Sequence, residues 1–396
     1  MISERARRVK PSPTLTMDTK AKEMKASGVD VISFGVGEPD FDTPEHIKEA
    51  AIRALREGKT KYTAAAGIPE LKEAIAEKLS RENGLSYSPS EIIVSCGAKH
   101  SLYNAFQAIL SPGDEVIIPS PYWVSYPAQV LLNDGTPVIA ETLEEDGFNL
   151  KPETLEKLIT PRTKAIVLNY PSNPTGLTYS EDTLKAVGDL AVRHNLYIIS
   201  DEVYEKLLYD GATHTSIASI SEEVKARTLL INGLSKSHAM TGWRIGYTAG
   251  PGDVIKAMSK IQGQSTSNPN SIAQWAAVEA LRGPQDFLAP MLKEFDKRRR
   301  HLVEELNKIE GVTCMIPRGA FYAFPNVSGL LGRKWSGGTV EDSSDLAMYL
   351  LEEAKVALVP GNAFGKEGFL RISYATSMEN IVEGLNRIRK AVDALE

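Results

Sequence analysis

The chain has 396 residues, of which 42% are hydrophobic and 24% are charged, and its formal net charge is −6. These values are typical of a folded globular protein with more than one domain, and they argue against an intrinsically disordered chain. The mildly acidic balance also argues against nucleic acid as the main partner. A basic run at 297–300 follows acidic residues in a helical stretch, and we interpret it as a solvated helix face.

The start of the chain, 1–14, is basic but has no apolar stretch after it, so no secretory signal is expected. A membrane helix needs about 18 or more apolar residues in succession, and no window provides them. The two cysteines, Cys96 and Cys314, lie far apart and have the spacing of neither a metal site nor a disulfide framework. We therefore predict a soluble, cytoplasmic protein that holds no metal and binds no membrane.

Between residues 91 and 250, short apolar runs alternate with amphipathic helical patterns. Strands are predicted at 91–97, 114–119, 136–141, 163–171, 196–202, 227–235 and 244–250. Helices are predicted at 98–110, 121–133 and 181–195. Because helices alternate with continuously apolar strands, the sequence predicts an α/β fold in which a mostly parallel sheet is covered by helices on both faces.

The C-terminal third has a different pattern. A long charged helix is predicted near 285–309, helices near 342–354 and 378–394, and strands at 320–325, 356–360 and 370–376. This order indicates a smaller α+β domain, and the first 45 residues are expected to pack against it because chain termini often come together. The predicted division is 1–45 for an N-terminal segment or lid, 46–285 for a large domain and 286–396 for a small domain.

Polar residues follow four of the predicted strands, at the edge where ligands bind in open parallel sheets. They comprise a helix start, an amide, a carboxylate with a phenol, and an amine: Gly97-Ala98-Lys99, Asn173 with Gly176, Asp201 with Tyr204, and Ser235-Lys236. Backbone N–H groups at a helix start form a natural phosphate seat. The whole set suits an anionic, nitrogen-containing aromatic cofactor.

Each of these residues also has an ordinary structural interpretation. A lysine such as Lys236 is usually a solvated cation, Asp201 could cap a helix, and 173–176 is first of all a turn. Tyr204 alone could be a packed tyrosine. Arg244 is different, because it lies in the apolar segment GWRIGY, where an unpaired charge is costly and a guanidinium fits a phosphate.

Eight segments in this order and spacing resemble the class I/II aminotransferases of pyridoxal phosphate (PLP) fold type I, and within them the bacterial aspartate aminotransferase subgroup Ib. The segments are GVGEPDFDTP (35–44), GKTKYTAAAGIPELK (58–72), GAKHSLYNAFQAIL (97–110), PSPYWVSYPAQV (119–130), NYPSNPTG (169–176), SDEVYEKLLYDG (200–211), SKSHAMTGWRIGY (235–247) and LRISYAT (370–376). The resemblance covers essentially the whole chain. It implies a large PLP-binding domain, a small domain built from both termini, and a homodimer with shared active sites.

The resemblance also implies how the cofactor is held. Lys236 would bond the PLP aldehyde and then shuttle the substrate's α-proton, with Asp201 on the pyridine nitrogen and Tyr204 as a further catalytic residue. Tyr204 and Asn173 would hold the ring oxygen, while Trp123 would stack on the ring. The remaining cofactor-binding residues lie around the phosphate and are Gly97, Ala98, Lys99, Ser235, Arg244 and, from a second subunit, Tyr62.

For the substrate, the resemblance implies that Arg371 grips the α-carboxylate with help from Asn173 and Gly37, next to Trp123. Read without the family, Arg371 could equally form an ordinary cross-strand ion pair. The distal carboxylate would be read by Lys99, Ser12 and Thr14, where Pro13 stiffens the segment. These residues favour aspartate and glutamate as amino donors, with oxaloacetate and 2-oxoglutarate as the 2-oxo acids.

Three alternatives to an aspartate aminotransferase remain at this point. The nearest is an aminotransferase of the same fold that acts on prephenate or aromatic substrates. A ligand-sensing domain of a transcription regulator is less favoured, because the motifs begin by residue 35 and leave no room for a DNA-binding domain ahead of them. An inactive scaffold is disfavoured because Lys236, Asp201, Asn173 and Arg371 are all present.

Overall fold

The structure is a computed structural model that describes residues 2–396. Its helices are α1 (Glu4–Arg8), α2 (Pro13–Ala26), α3 (Glu45–Arg56), α4 (Pro69–Asn83), α5 (Ala98–Ile109), α6 (Ser125–Leu132), α7 (Pro152–Leu158), α8 (Glu181–Arg193), α9 (Glu222–Lys225), α10 (Gly252–Ser265), α11 (Ser271–Arg282), α12 (Leu288–Leu306), α13 (Ser343–Glu352) and α14 (Met378–Asp393). Within the described residues, none of these helices is long and apolar enough to cross a membrane.

The strands are β1 (Ile32–Ser33), β2 (Ile92–Ser95), β3 (Glu115–Ser120), β4 (Thr136–Glu141), β5 (Thr163–Asn169), β6 (Tyr197–Asp201), β7 (Thr228–Gly233), β8 (Gly246–Ala249), β9 (Tyr322–Ala323), β10 (Lys334–Trp335), β11 (Gly338–Thr339), β12 (Val356–Ala357), β13 (Val359–Pro360) and β14 (Leu370–Ser373). Seven of them form the central sheet in the order β2-β8-β7-β6-β5-β3-β4. Only β8 runs antiparallel to its neighbours, so the prediction of a mostly parallel sheet flanked by helices is confirmed. Strand β8 reverses because no α-helix separates it from β7, and a parallel return needs a crossover.

Continuously apolar strands arise here because both faces of the sheet are covered. In β2, Ile93 enters one buried cluster while its neighbours Ile92 and Val94 enter the cluster on the opposite face. Strand β7 divides in the same way, with Leu229 on one side and Leu230 on the other. Successive side chains of a strand point to opposite faces. Each such side chain contributes about 1.5–3 kcal/mol by leaving water, and the sheet edge is thereby fixed as a rigid platform.

The segment after β3 departs from the predicted helix at 121–133. Helix α6 begins only at Ser125, because the Tyr122 N–H donates to the Phe364 carbonyl at 3.0 Å instead of joining a helix. Residues 121–124 therefore form a loop at the carboxyl end of β3. This loop brings Trp123 over the edge of the sheet.

The N-terminal segment packs against the C-terminal third. Strand β1 pairs in parallel with β12, with Ile32 opposite Val356. Met17 and Phe34 belong to the same buried cluster as Leu346 of α13. A separate antiparallel sheet, in the order β13-β14-β9, presents Arg371 and Tyr322 from neighbouring strands.

The interpretation of 297–300 as a solvated helix face was wrong for two of its four residues. Arg298 and Arg299 of α12 are buried, and Arg299 is ion-paired with Asp210 and Asp296. A buried guanidinium is tolerated where carboxylates neutralise it. The sequence could not show this pairing, because Asp210 is distant along the chain and meets α12 only in the folded protein.

Candidate active site

A cavity of about 570 Å³ opens at the carboxyl ends of β5, β6 and β7. Its walls come from the central sheet, from the N-terminal segment and from the small antiparallel sheet. Twelve of the residues singled out in the sequence line it, namely Thr14, Gly37, Ala98, Lys99, Trp123, Asn173, Asp201, Tyr204, Ser235, Lys236, Arg244 and Arg371. The folded chain therefore brings together groups that are up to 357 positions apart (14 to 371).

Three predicted site residues do not line this cavity. Ser12 precedes α2 and its carbonyl accepts from the Thr16 hydroxyl at 3.2 Å. Tyr62 is 93% exposed in the single chain, so any contact it makes with a site requires another molecule. Gly97 is next to the lining residue Ala98, and its lack of a side chain leaves room for the Arg244 guanidinium. Ser12 is not among the lining residues, and its role at the distal end of the substrate stays a prediction.

Lys236 follows β7 and projects its amine into the cavity. The amine donates to the Gly37 carbonyl at 2.5 Å and lies near the ring of Tyr204. The pKa of Lys236 is lowered to about 8, chiefly by burial and also by the positive charge of Arg371. The unprotonated amine, which a nucleophile or proton acceptor requires, is therefore far more accessible near neutral pH than in an ordinary lysine.

Asp201 ends β6 and lies on the floor of the cavity. Burial raises the pKa of its carboxyl to about 6, while a hydrogen bond from the Tyr126 hydroxyl at 2.7 Å and one from the Val203 N–H oppose that rise. A carboxylate in such a place is costly unless a cationic partner reaches it. It is therefore suited to face a protonated ring nitrogen.

Arg371 of β14 is 2% exposed and has no carboxylate partner among the described residues. It donates to the Asn173 side-chain oxygen at 3.1 Å and to the Gly35 carbonyl at 2.6 Å, and its Nε has no partner. Burial lowers the pKa of its guanidinium. The ordinary interpretation of Arg371 as a cross-strand ion pair is thus excluded, and its charge remains available for an anion in the cavity.

The start of α5 forms a tight cradle beside Arg244. Gly97 has φ +88°, and a Cβ on it would lie 2.3 Å from Arg244 Nη2, so a side chain there would displace the guanidinium. Arg244 also donates to the Thr241 carbonyl at 2.7 Å. Lys99, in the first turn of α5, lies over the Trp123 ring at 4.8 Å, and burial lowers its pKa. Free backbone N–H groups and two cations at a helix start favour a phosphate.

Two tyrosines of the site were missed by the sequence reasoning. Tyr126 holds Asp201, and Tyr322 contacts both the Tyr204 hydroxyl, at 2.8 Å, and the Arg371 guanidinium. Tyr126 carried a weak signal, since it lies in the segment 119–130 that resembles the family, three residues after Trp123. Tyr322 carried none, because it stands in the apolar strand segment 320–325.

Comparisons with known proteins agree with this geometry. The family model described as "Aminotransferase class I and II" matches residues 29–388. An aspartate aminotransferase of Geobacillus stearothermophilus is 52% identical over 99% of both chains, and an aspartate/prephenate aminotransferase of Cereibacter sphaeroides is 53% identical over 98% of both chains. The crystal structure of the aspartate aminotransferase from Rhizobium meliloti is similar with a TM-score of 0.97, at 48% identity and with both chains covered completely.

Proposed function

The chain belongs to the class I and II aminotransferases, and on that basis we propose that it transfers amino groups between L-aspartate and 2-oxoglutarate, giving oxaloacetate and L-glutamate. The observation that carries the proposal is the meeting of Lys236, Asp201 and Arg371 in one cavity. An amine, a buried carboxylate and an unpaired guanidinium are the groups that such a transfer needs. The relatives named as aspartate aminotransferases support this choice of substrates.

We propose PLP as the cofactor. The cavity wall carries five cationic side chains but only three carboxylates, and this excess of positive charge fits a phosphate together with a substrate carboxylate. The glycine cradle beside Arg244 and the free N–H groups of α5 fit the phosphate, while Asp201 fits the ring nitrogen. When bound, the cofactor supplies an aldehyde for amines and an electron-accepting ring.

The protein's own residues then transfer the substrate's α-proton and stabilise the charge that develops on the cofactor ring. Lys236, with its lowered pKa, serves as nucleophile and afterwards as the base at the substrate's α-carbon, a contribution typically worth about 10²–10⁴ in rate. Asp201 stabilises the charge that develops on the ring, so its effect falls on the transition state more than on binding. The Tyr204 hydroxyl would hold the ring oxygen, and Trp123 would stack on the ring; both residues line the cavity.

Substrate selection follows from charge at two ends of the cavity. Arg371 and Asn173 are placed for the α-carboxylate, a pair that any amino acid satisfies. Lys99, together with Thr14 on α2, also lines the cavity, and we assign these two residues to a distal carboxylate. We propose that this second cation favours four- and five-carbon dicarboxylic amino acids over neutral ones.

Prephenate is the second candidate substrate, because five of the similar proteins have names that give both aspartate and prephenate. Prephenate has a second carboxylate on the ring carbon that bears its pyruvyl group, so the same pair of cations, Arg371 and Lys99, suits it. An enzyme limited to aromatic amino acids is disfavoured by a positive charge at the distal end.

The function is tested by turnover and by labelling. Initial rates with aspartate, phenylalanine and alanine as donors, and with 2-oxoglutarate and prephenate as acceptors, should rank the dicarboxylic substrates first. Borohydride reduction followed by peptide mapping should place the cofactor on Lys236 and leave Lys236→Ala unlabelled. A label on another lysine would refute the proposed chemistry, and a preference for phenylalanine would refute the substrates alone.

We also propose a homodimer with shared active sites. Tyr62 is almost fully exposed and has no role within one subunit, yet it lies in the segment 58–72 that resembles the family. In a dimer its hydroxyl would be available to the phosphate of the neighbouring site. Sedimentation should give a dimer at assay concentration, and a fully active monomer would contradict the proposal.

The proposed division of the chain remains 1–45, 46–285 and 286–396. The buried cluster that joins Met17 and Phe34 to the C-terminal third supports this division, and it meets the large domain at Val203, Tyr204, Leu207 and Tyr209. The proposed location is the cytoplasm. Both cysteines, Cys96 and Cys314, are unpaired, as is usual in a reducing compartment.

A further inference from the structure

Tyr322 stands between the two ends of the site. It is buried in β9, and its ring packs against the Arg371 guanidinium, 4.7 Å from Arg371 Cζ to the ring centre. Its hydroxyl lies 2.8 Å from the hydroxyl of Tyr204. One side chain thus contacts both the residue placed for the cofactor's ring oxygen and the residue placed for the substrate's α-carboxylate.

The surroundings leave little freedom for the Tyr322 hydroxyl. A Cβ added to Gly37 would lie 2.7 Å from this oxygen, so the glycine makes the room that the hydroxyl occupies. Tyr204 is the hydrogen-bond partner of Tyr322, and each hydroxyl has a single proton to donate. One of the two tyrosines must therefore be the donor in the pair, and the other keeps its proton for something else.

The position of the Arg371 guanidinium favours Tyr322 as the donor in this pair. Burial raises the pKa of both phenols, and the positive charge of Arg371 opposes that rise at both. The guanidinium packs directly against the Tyr322 ring, 4.7 Å from Arg371 Cζ to the ring centre. The more acidic phenol is the better hydrogen-bond donor. The direction Tyr322 to Tyr204 leaves the Tyr204 proton free to point into the cavity.

We propose that Tyr322 is a positioning residue, which donates its hydrogen bond to Tyr204 Oη and thereby directs the Tyr204 proton onto the ring oxygen of the bound cofactor. Because chains of hydrogen bonds polarise one another, the donation from Tyr322 also strengthens the bond that Tyr204 makes. The ring of Tyr322 meanwhile holds the Arg371 guanidinium by its face. This inference rests on the proposed function, since it requires the cofactor in the cavity.

The test is a pH titration of the visible absorbance of the holoenzyme. The absorbance changes when the proton shared by the cofactor's ring oxygen and the lysine nitrogen is lost. A strong hydrogen-bond donor to the ring oxygen stabilises the form without this proton. Weakening that donor therefore raises the pH at the midpoint of the absorbance titration. Tyr204→Phe removes the hydrogen bond to the ring oxygen and gives the largest rise of the midpoint. Tyr322→Phe removes one hydroxyl and keeps the ring over Arg371, and it should raise the midpoint by a smaller amount.

We expect the Tyr322→Phe midpoint to rise by about 0.5 pH unit, the size appropriate to a weakened rather than a lost hydrogen bond. Tyr374→Phe is the matched control, because it removes a buried hydroxyl from the same cluster, bonded to the Ala320 carbonyl at 3.2 Å and outside the cavity. Its midpoint should equal that of the wild type. Gly37→Ala supplies an independent perturbation, since its methyl group displaces the Tyr322 hydroxyl without altering Tyr322 itself, and it should also raise the midpoint.

Three results would overturn the inference. They are an unchanged or lowered midpoint in Tyr322→Phe, a shift as large in Tyr374→Phe, or an unchanged midpoint in Gly37→Ala. In each of these cases a wild-type visible band would still be present, so the proposed function would stand. A wild-type protein without any such band after incubation with PLP would instead refute the proposed function.

Discussion

Replacing Asp201 by asparagine should stabilise the cofactor-free protein while it removes activity. Burial raises the pKa of the Asp201 carboxyl from 3.8 to about 6 in the folded protein. The folded state therefore holds a proton on this group between about pH 4 and 6 that the unfolded state has released. Above that window the group is charged in both states, and the folded protein bears the cost of a buried, uncompensated charge.

The size of this cost follows from the pKa difference. A rise of about two pH units corresponds to about 3 kcal/mol, at 1.36 kcal/mol for each unit. Stability is thus highest with respect to this group below about pH 4, falls as the pH rises through 6, and stays lower at pH 8. Asparagine is neutral and nearly isosteric, and its oxygen still accepts from Tyr126. Part of the gain is lost because its NH₂ group replaces one acceptor, so we expect about 1–3 kcal/mol at pH 8.

The assay compares urea unfolding of wild type and Asp201→Asn, both without cofactor, at pH 4 and pH 8. The variant should be the more stable at pH 8, and the difference between the two proteins should shrink toward zero or reverse at pH 4, where the wild-type carboxyl is protonated. Turnover of the holoenzyme variant should fall by about 10²-fold or more, since a charge that matters in the transition state is gone. A variant that is equally destabilised at both pH values would refute the reasoning, because it would mean that Asp201 bears no charge penalty in the folded state.

The remaining predictions concern the rest of the site. Lys99→Ala should lower kcat/KM for aspartate by about 10-fold or more and leave alanine nearly unchanged, because only aspartate has a distal carboxylate; equal losses on both substrates would remove Lys99 from the specificity role. Tyr126→Phe should raise the pKa of Asp201 by about one unit, since it deletes the principal hydrogen bond that opposes burial. Activity requires the ionised carboxyl, so the acid limb of the kcat/KM profile should move to higher pH, and an unmoved limb would show that the carboxyl does not set it. Arg371→Lys should weaken binding of the α-carboxylate by about 10²-fold although the charge is kept, because the bidentate fork and the stacking on Tyr322 are lost; inhibitor affinity for a simple dicarboxylate measures this, and a near-native value would argue against a direct contact.

Much of the central sheet was predictable because its information is local. Each strand from β2 to β8 is a short apolar run bounded by polar or turn residues, and burial on both faces makes such runs continuous. The rule that ligands bind at the carboxyl edge then located Asp201, Lys236 and Asn173 without any knowledge of the partners they meet. The family resemblance added Arg371 and Trp123, which no local pattern distinguishes from ordinary strand and loop residues.

Other features could not be read from the chain. The burial of Arg299 depends on Asp210, which is 89 positions away and becomes its partner only when α12 packs against the turn after β6. The late start of α6 depends on a hydrogen bond from Tyr122 to the Phe364 carbonyl. Local helical periodicity cannot register a contact of that kind, so the boundary was placed too early.

The sequence by itself determined which stretches of the central region form strands along the chain and which polar residues lie at the edge of the sheet. Its eight matching segments also determined the family. These follow from side-chain size, polarity and period, which each short stretch carries within itself. Only the tertiary structure decided the pKa of Asp201 and Lys236, the unpaired state of Arg371 and the contact of Tyr322 with Tyr204. Those properties are set by burial and by charges brought within a few ångströms from distant parts of the chain, because electrostatic interactions depend on both the local dielectric and the distance.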